Sequence, residues 1–211
     1  MIKAYISQIN ALKPENTGCT YRTSVWKNLS NDHKGLVCDY EDKYVSRADV
    51  IKAYQGYYAG HSDYLRAFLL TMIWGFEDTG YGTFRTNNYI TNPEHTERIR
   101  TALEAVGQND IEKAFRELKR IKGLGISYIS KVLFFATKAM GLSEYCLVFD
   151  IRVARSLVLL TAPAYVNDII TVMPSYKWGD YCKYNEMIHT LAKQYQVDAE
   201  AIELFLFNQK F

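Results

Sequence analysis

The stretch from Leu118 to Leu157, LKRIKGLGISYISKVLFFATKAMGLSEYCLVFDIRVARSL, decides the fold of this chain. A basic helix ends at the turn Gly123-Leu124-Gly125, and an apolar helix follows over residues 126–140. Glycine suits this turn because it adopts positive φ angles without a steric penalty. A buried-looking run then ends at Asp150, which stands where a helix N-cap is expected. The pattern predicts a helix, a glycine hairpin, a second helix, a loop and a third helix.

The glycine hairpin leaves backbone amides exposed at the N-terminus of its second helix. Such amides, together with the helix dipole, bind a phosphate. Lys122 beside the hairpin adds a positive charge that suits a nucleic-acid backbone. Taken alone, the pattern is also typical of a simple corner between two helices with solvated basic residues. The downstream residues are more specific, because Asp150, Val153 and Arg155 form a D-x-x-V-x-R motif one apolar helix after the hairpin.

The hairpin, the helix over residues 126–140 and the D-x-x-V-x-R motif together resemble the helix-hairpin-helix DNA glycosylase superfamily. The nearest resemblance is to the bacterial 8-oxoguanine-DNA-glycosylase-like proteins, and it covers residues 111–160. It implies an all-α, two-lobed helical bundle whose active site lies in the cleft between the lobes. It also implies double-stranded DNA with a modified base as the partner. The DNA contacts would come from Lys122, Gly123, Gly125, Ile126, Ser127 and Arg155.

The resemblance makes Asp150 the catalytic carboxylate. Cleavage of the bond between a base and deoxyribose passes through a cationic sugar, which a carboxylate held near C1′ stabilises. A helix N-terminus keeps that carboxylate ionised, because the backbone amides interact favourably with its charge. The alternative is that Asp150 only caps its helix.

The reaction type depends on a second residue. Family members that also cut the DNA backbone carry a lysine two positions after the second glycine, where it forms a Schiff base with the sugar. Ser127 occupies that position here, and this predicts a monofunctional glycosylase. Lys131 keeps AP-lyase activity open as an alternative, because it lies one helical turn further along the same face. Lys131 could equally contact a phosphate or lie at the surface.

The base to be excised must leave the duplex, so its pocket should offer stacking and hydrogen bonds. We assign the pocket to Trp74, Trp178, Tyr181 and Tyr184, while noting that aromatic residues at helical spacing usually belong to a core. The resemblance favours an oxidised purine such as 8-oxoguanine, in DNA repair. A hypermodified base of phage DNA, such as glucosylated hydroxymethylcytosine, would make the protein an antiviral defence enzyme. A non-catalytic DNA-binding module that uses only the hairpin is the third interpretation.

The chain has 211 residues, of which 48% are hydrophobic, and a formal net charge of +2. These values predict a globular protein, and a nearly neutral DNA-binding protein must concentrate its positive charge on one face. We expect an N-terminal extension over residues 1–45 that packs on a glycosylase domain over residues 46–211. Within that domain the hairpin spans residues 112–140 and the aspartate helix spans residues 150–160.

The cysteines Cys19, Cys38, Cys146 and Cys182 are far apart and include no C-x-x-C pair, so neither a disulfide framework nor a zinc site is predicted. Some superfamily members hold an iron–sulfur cluster on four closely spaced C-terminal cysteines, and that pattern is missing. We therefore expect no metal and no cofactor. No apolar run approaches the length of a membrane span and the N-terminus lacks a signal-peptide core. We expect a monomeric protein of the bacterial cytoplasm.

Capping residues predict several further helices. Gly75 is expected to end one of them, and residues 78–83 are expected to form a loop. A second loop is expected over residues 163–174, before an amphipathic helix over residues 175–194. No strand is predicted. The expected helix starts are Ser46, Asp63, Asn92, Asn109 or Asp110, and Asp198.

Overall fold

The computed structural model describes residues 2–161 and 172–208 of the chain. These residues are mostly helical, which confirms the all-α prediction. Short 3-10 helices lie at Ile2–Tyr5, Pro14–Asn16 and Gly35–Tyr40. The α-helices are α1 (Ile6–Asn10), α2 (Asn31–Lys34), α3 (Arg47–Tyr58), α4 (Tyr64–Phe76), α5 (Gly82–Ile90), α6 (Pro93–Gly107), α7 (Ile111–Lys119), α8 (Ile126–Ala139), α9 (Ile151–Thr161), α10 (Trp178–Tyr195) and α11 (Ala199–Asn208).

The predicted caps begin the helices for which they were proposed. Ser46 Oγ accepts a hydrogen bond from the Asp49 amide at 3.1 Å, and Asp49 Oδ2 accepts one from the Ser46 amide at 2.9 Å, which completes a capping box at α3. Side-chain oxygens of Asp63, Asn92 and Asp110 accept hydrogen bonds from first-turn amides of α4, α6 and α7. Local capping chemistry is readable from sequence because both partners lie within three residues of each other.

The glycine turn lies between α7 and α8, as predicted. Gly123 has a φ of +86°, which a residue with a side chain adopts only with strain. Gly125 is the N-cap residue of α8, and no side chain in the described part of the protein caps this helix end. The Tyr89 hydroxyl, on α5, donates a hydrogen bond of 2.8 Å to the Gly123 carbonyl and fixes the turn against its neighbour. The first-turn amides of α8 are thus left free of a capping side chain.

Four expectations about elements need correction or fall outside the residues that the structure describes. Gly18–Thr20 (β1) and Tyr44–Ser46 (β2) form a two-stranded antiparallel sheet, although no strand was predicted. Three-residue strands are too short to show alternation. Helix α4 continues through Gly75 to Phe76, and α5 begins at Gly82, within the expected loop. The loop expected over residues 163–174 lies mostly outside the described residues.

One connected cluster of buried hydrophobic residues runs through the described part of the chain. The predicted N-terminal extension contributes to it with Trp26, Tyr21 and Val37, each at most 2% exposed. Strand β1 pairs with β2 across the expected boundary at residues 45 and 46. Across the described ranges, no helix combines the length and the apolar character that crossing a membrane requires.

Candidate active site

A cavity of about 360 Å³ opens where the N-terminal segment, α4, α8, the start of α9 and α11 meet. Asp150 and Lys131 both line it, together with Trp74 from the predicted base pocket. Further lining residues were not foreseen from the sequence. They are Thr17, Gly18, Arg47, Gly75, Phe76, Glu77, Thr79, Tyr128, Val148, Arg152, Glu203, Leu204, Phe207 and Asn208.

Asp150 caps α9 and at the same time faces the cavity. Its Oδ1 accepts hydrogen bonds from the amides of Arg152 at 2.8 Å and Val153 at 3.3 Å. The side chain is largely buried, and the residue is 8% exposed. Capping therefore uses one carboxylate oxygen, while Oδ2 remains available to the cavity. The two interpretations of Asp150, as a cap and as a functional carboxylate, are compatible in this geometry.

Lys131 lies beside that second oxygen. Its Nζ is 3.8 Å from Asp150 Oδ2 and donates a hydrogen bond of 2.7 Å to Ser127 Oγ. Burial lowers the pKa of the Lys131 ammonium, and the Asp150 carboxylate acts against this shift. The Nζ atom also lies 5.2 Å from the centre of the Tyr128 ring. A buried amine next to a carboxylate is typical of nucleophilic or acid–base chemistry.

The side chains of Ser127 and Lys131 form a hydrogen bond with each other and lie at the same place in the site. The superfamily's lysine position is occupied by Ser127, yet the hydrogen bond brings the Lys131 amine to within 2.7 Å of the Ser127 hydroxyl. Lys131, one helical turn after Ser127, therefore places its amine beside the Ser127 side chain. The spacing of four residues predicts that Ser127 and Lys131 lie close together, because residues i and i+4 lie on one helix face.

Gly75 is a site residue that the sequence analysis treated only as a helix end. A Cβ atom at this position would lie 3.0 Å from Lys131 Cδ and 3.1 Å from Tyr128 Cε1. The glycine on α4 therefore leaves the space through which the Lys131 side chain runs. A glycine inside an apolar helix was the available signal.

Tyr181 and Tyr184, which were predicted to form part of the base pocket, do not line the cavity. Tyr181 is fully buried and donates a hydrogen bond of 2.8 Å to the Leu147 carbonyl. Tyr184 donates one of the same length to the Val148 carbonyl. Trp178 packs against Phe115 with ring centres 5.3 Å apart. Tyr181 and Tyr184 belong to the core and hold the segment that leads to Asp150, whereas Trp178 is partly buried and packs against the core.

The same segment is held from its other side by α8. Ser130 Oγ accepts a hydrogen bond of 2.9 Å from the Phe149 amide, and Thr137 Oγ1 accepts one of the same length from the Cys146 amide. Because the segment is neither helix nor strand, its backbone groups need such partners when they are buried. Residues 146–149 thus form an extended segment between α8 and α10 that fixes the position of Asp150.

Arg47 and Glu203 form a buried ion pair in the cavity wall. Arg47 Nη1 bonds Glu203 Oε2 at 3.0 Å and Glu200 Oε1 at 3.1 Å. The Arg47 guanidinium also lies 5.1 Å from the centre of the Trp74 ring. Burial raises the pKa of the Glu203 carboxyl, and the Arg47 charge and hydrogen bond act against this shift. No sequence pattern indicated this pair, since its members are far apart along the chain.

A family model matches residues 12–207, and its description is "Putative 8-oxoguanine DNA glycosylase OGG-like protein". The chain belongs to this family. The match begins inside the predicted N-terminal extension and includes residues 12–45. Comparisons with curated proteins and with solved structures gave no match.

In this OGG-like chain, five of the six predicted DNA contacts lie in the hairpin and at the start of α8. Lys122 and Gly123 are exposed, whereas Ile126 is buried and only 4% exposed. A side chain is therefore available for binding at Lys122, and only the backbone can act at Ile126. Gly125 faces Tyr176, whose hydroxyl lies 2.7 Å from where a Cβ atom would be. Arg155 is exposed on α9.

A shallow groove of about 800 Å³ continues from the hairpin along α5. Lys122 and Gly123 line one end of it, and Arg85, Asn88 and the exposed Phe84 line the other. Within the described residues, no group of three or more His, Cys, Asp or Glu residues is arranged to hold a metal ion.

Proposed function

We propose that this OGG-like protein is a DNA glycosylase that extrudes a modified base and cleaves its N-glycosidic bond. The observation that carries the proposal is the separation of 3.8 Å between Lys131 Nζ and Asp150 Oδ2 inside a cavity. A nucleophile next to a carboxylate suits the cleavage of a glycosidic bond. The adjacent glycine hairpin, with free amides at the start of α8 and the exposed Lys122, suits the DNA backbone.

In the proposed reaction Lys131 is the nucleophile. Its amine, favoured in the neutral form by burial, attacks C1′ while the C1′–N bond breaks. The bond electrons leave with the base, which takes up the proton that Nζ releases. The C1′–O4′ bond then breaks, O4′ takes up a proton, and Nζ and C1′ form a Schiff base. Loss of a proton from C2′ expels the 3′ phosphate and cuts the DNA backbone. Asp150 stabilises the positive charge that develops on the sugar.

This proposal differs from the sequence-based expectation of a monofunctional enzyme. That expectation depended on Ser127 at the superfamily's lysine position. The hydrogen bond of 2.7 Å between Lys131 Nζ and Ser127 Oγ nevertheless supports an amine beside that position, supplied by Lys131. If water were the nucleophile instead, Lys131 would only support Asp150 and no covalent intermediate would form.

For the substrate we propose an oxidised purine such as 8-oxoguanine, in keeping with the family's description. The cavity volume of about 360 Å³ lies near the lower end of the range of roughly 300–1,000 Å³ that is typical of ligand sites. A small occupant suits it better than a base that carries a glucose. Excision of glucosylated hydroxymethylcytosine, with reduced plating of phages that carry it, would overturn this choice and favour antiviral defence.

Borohydride trapping on 8-oxoguanine duplexes tests the reaction. Wild-type protein should form a covalent complex, whereas Lys131→Ala should form none and Asp150→Asn should form it at least a hundredfold more slowly. Both variants should bind undamaged duplex as wild type does. Because the Lys131 pKa is lowered, the trapping rate should rise with pH and level off below the ordinary lysine pKa of about 10.4. Base release without trapping would establish a monofunctional enzyme, and binding without release would favour a DNA-binding module.

A further inference from the structure

Two buried polar atoms in the cavity wall have no hydrogen-bond partner within the described part of the chain. They are Glu203 Oε1 and Arg47 Nε. Glu203 is fully buried and Arg47 is 1% exposed, and both residues line the cavity. A buried polar atom without a partner costs free energy. Such atoms at a cavity wall are the groups that a ligand can satisfy.

Glu200 and Glu203 both pair with Arg47, but of these two carboxylates only that of Glu203 has an oxygen without a partner among the described residues. Both carboxylates bond Arg47 Nη1, at 3.1 Å and 3.0 Å. The second oxygen of Glu200 is paired with Lys138 Nζ at 2.9 Å, and Glu200 does not line the cavity. The second oxygen of Glu203 has no such partner among the described residues. The two residues therefore share a structural contact and differ in what they offer to a ligand.

We propose that Glu203 and Arg47 determine specificity by recognising a lactam edge of the extruded base, that is, an N–H group beside a carbonyl. Glu203 Oε1 accepts a hydrogen bond from the N–H group, and the Arg47 guanidinium donates one to the carbonyl oxygen. Both hydrogen bonds involve a charged group, which makes them stronger than neutral ones. This assignment rests on the proposed glycosylase function and names the chemical feature that its site selects.

This lactam edge distinguishes an oxidised purine from its parent base. Oxidation of guanine at C8 replaces the N7 lone pair and C8–H with an N7–H and a C8 carbonyl. A carboxylate accepts a hydrogen bond from N7–H and repels the N7 lone pair of guanine. Glu203 would thus act in two ways, by binding the oxidised base and by rejecting the abundant normal one.

The experiment compares Glu203→Gln with the matched control Glu200→Gln. Each protein is tested for cleavage of duplexes that differ only in carrying 8-oxoguanine or guanine opposite cytosine. The same pair of substitutions is also made in Asp150→Asn protein, and the dissociation constants for both duplexes are measured. The glutamine amide can donate to the guanine N7, so Glu203→Gln should reduce the preference for 8-oxoguanine at least tenfold in both assays. Glu200→Gln should change it less than threefold.

The outcomes separate this inference from the proposed function. Equal loss of preference in the two variants would mean a structural role and would overturn the inference. Cleavage of 8-oxoguanine by wild type with an unchanged preference in Glu203→Gln would also overturn it, while leaving the glycosylase function intact. If wild type cleaved neither duplex but Glu203→Gln still lost the binding preference, the recognition site would be supported and the reaction would not. Equal affinity of the Asp150→Asn protein for both duplexes would overturn the inference.

Discussion

Lys131 reaches Asp150 because the residue beside it, Gly75, has no side chain. The distances of 3.0 Å and 3.1 Å from an added Cβ atom to Lys131 and Tyr128 leave no room for a methyl group without a shift. The atom that would move most easily is Lys131 Cδ, which belongs to a flexible side chain. The position of the amine therefore depends on a glycine in another helix, far earlier in the chain.

Gly75→Ala should reduce the rate of catalysis while leaving the stability of the protein nearly unchanged. Alanine is favoured over glycine inside a helix by roughly 0.5–1 kcal/mol, which offsets the cost of the close contact. We expect the melting temperature to change by only a few degrees and the rate of borohydride trapping to fall at least tenfold. Gly56→Ala on α3, where an added Cβ meets only the Ser62 side chain at 3.0 Å, is the control. Unchanged trapping in Gly75→Ala would show that the lysine tolerates the shift.

At the scale of elements, the extended segment 146–149 explains how a loop residue is held in a fixed place. Side chains from α8 and α10 bind its backbone from two sides. Asp150 follows directly and begins α9. Tyr181 and Tyr184, which were predicted to contact the base, instead bind the segment that positions the Asp150 carboxylate.

Tyr184→Phe tests this role. The substitution removes the hydroxyl that donates to the Val148 carbonyl and leaves that buried carbonyl without its partner, at a cost of about 1–3 kcal/mol. We expect a lower melting temperature and a reduced excision rate with nearly unchanged affinity for the substrate duplex. Tyr195→Phe, at the end of the same helix, is the control, because Tyr195 lies 11 residues and about 16 Å further along the helix than Tyr184. A fall in substrate affinity alone would instead favour direct contact of Tyr184 with the base.

The glycine hairpin should act as a sequence-independent anchor. Lys122→Glu is expected to weaken binding to all duplexes by a similar factor and to lower the salt dependence of binding, since phosphate contacts carry no sequence information. Lys193→Glu is the control for the change of charge. Lys193 pairs with Glu144 beyond the far end of α8, a helix of 14 residues and about 20 Å. Loss of binding to only the damaged duplex would contradict the anchoring role.

At the scale of the whole molecule, Arg47 joins α3 to α11 in the cavity wall. Its side chain is 2% exposed and pairs with the side chains of Glu200 and Glu203, which are 6% and 0% exposed. Breaking a buried pair on one side leaves an uncompensated charge, which typically costs about 3–5 kcal/mol. The N-terminal and C-terminal parts of the fold are therefore coupled through charge as well as through the common core.

Arg47→Met should destabilise the protein more at pH 8 than at pH 5. Burial already raises the Glu203 pKa, and removal of Arg47 raises it further. Between the ordinary glutamate pKa of about 4.3 and the raised value, the folded state binds more protons than the unfolded state, so stability increases as the pH falls. Thermal unfolding at the two pH values measures the effect. Arg100→Met, in exposed pairs with Glu97 and Glu104, should show a small and nearly pH-independent loss.

The sequence by itself determined the features whose partners are close along the chain. The capped helix starts, the turn at Gly123 and the position of Asp150 before α9 all depend on hydrogen bonds or φ angles within a few residues. Such local rules act in the same way in any fold, so a pattern of residues is enough to state them. The spacing from Ser127 to Lys131 also predicts that these two side chains share a face of α8.

Only the tertiary structure decided which side chains face the cavity. Tyr181 and Tyr184 have the spacing of a pocket wall, but their helix turns them toward the segment that carries Asp150. Arg47 and Glu203 lie 156 residues apart and meet at a distance of 3.0 Å. Periodicity shows which residues share a helix face and not what that face is packed against. That choice follows from how all the helices bury their apolar surface together, which no local pattern contains.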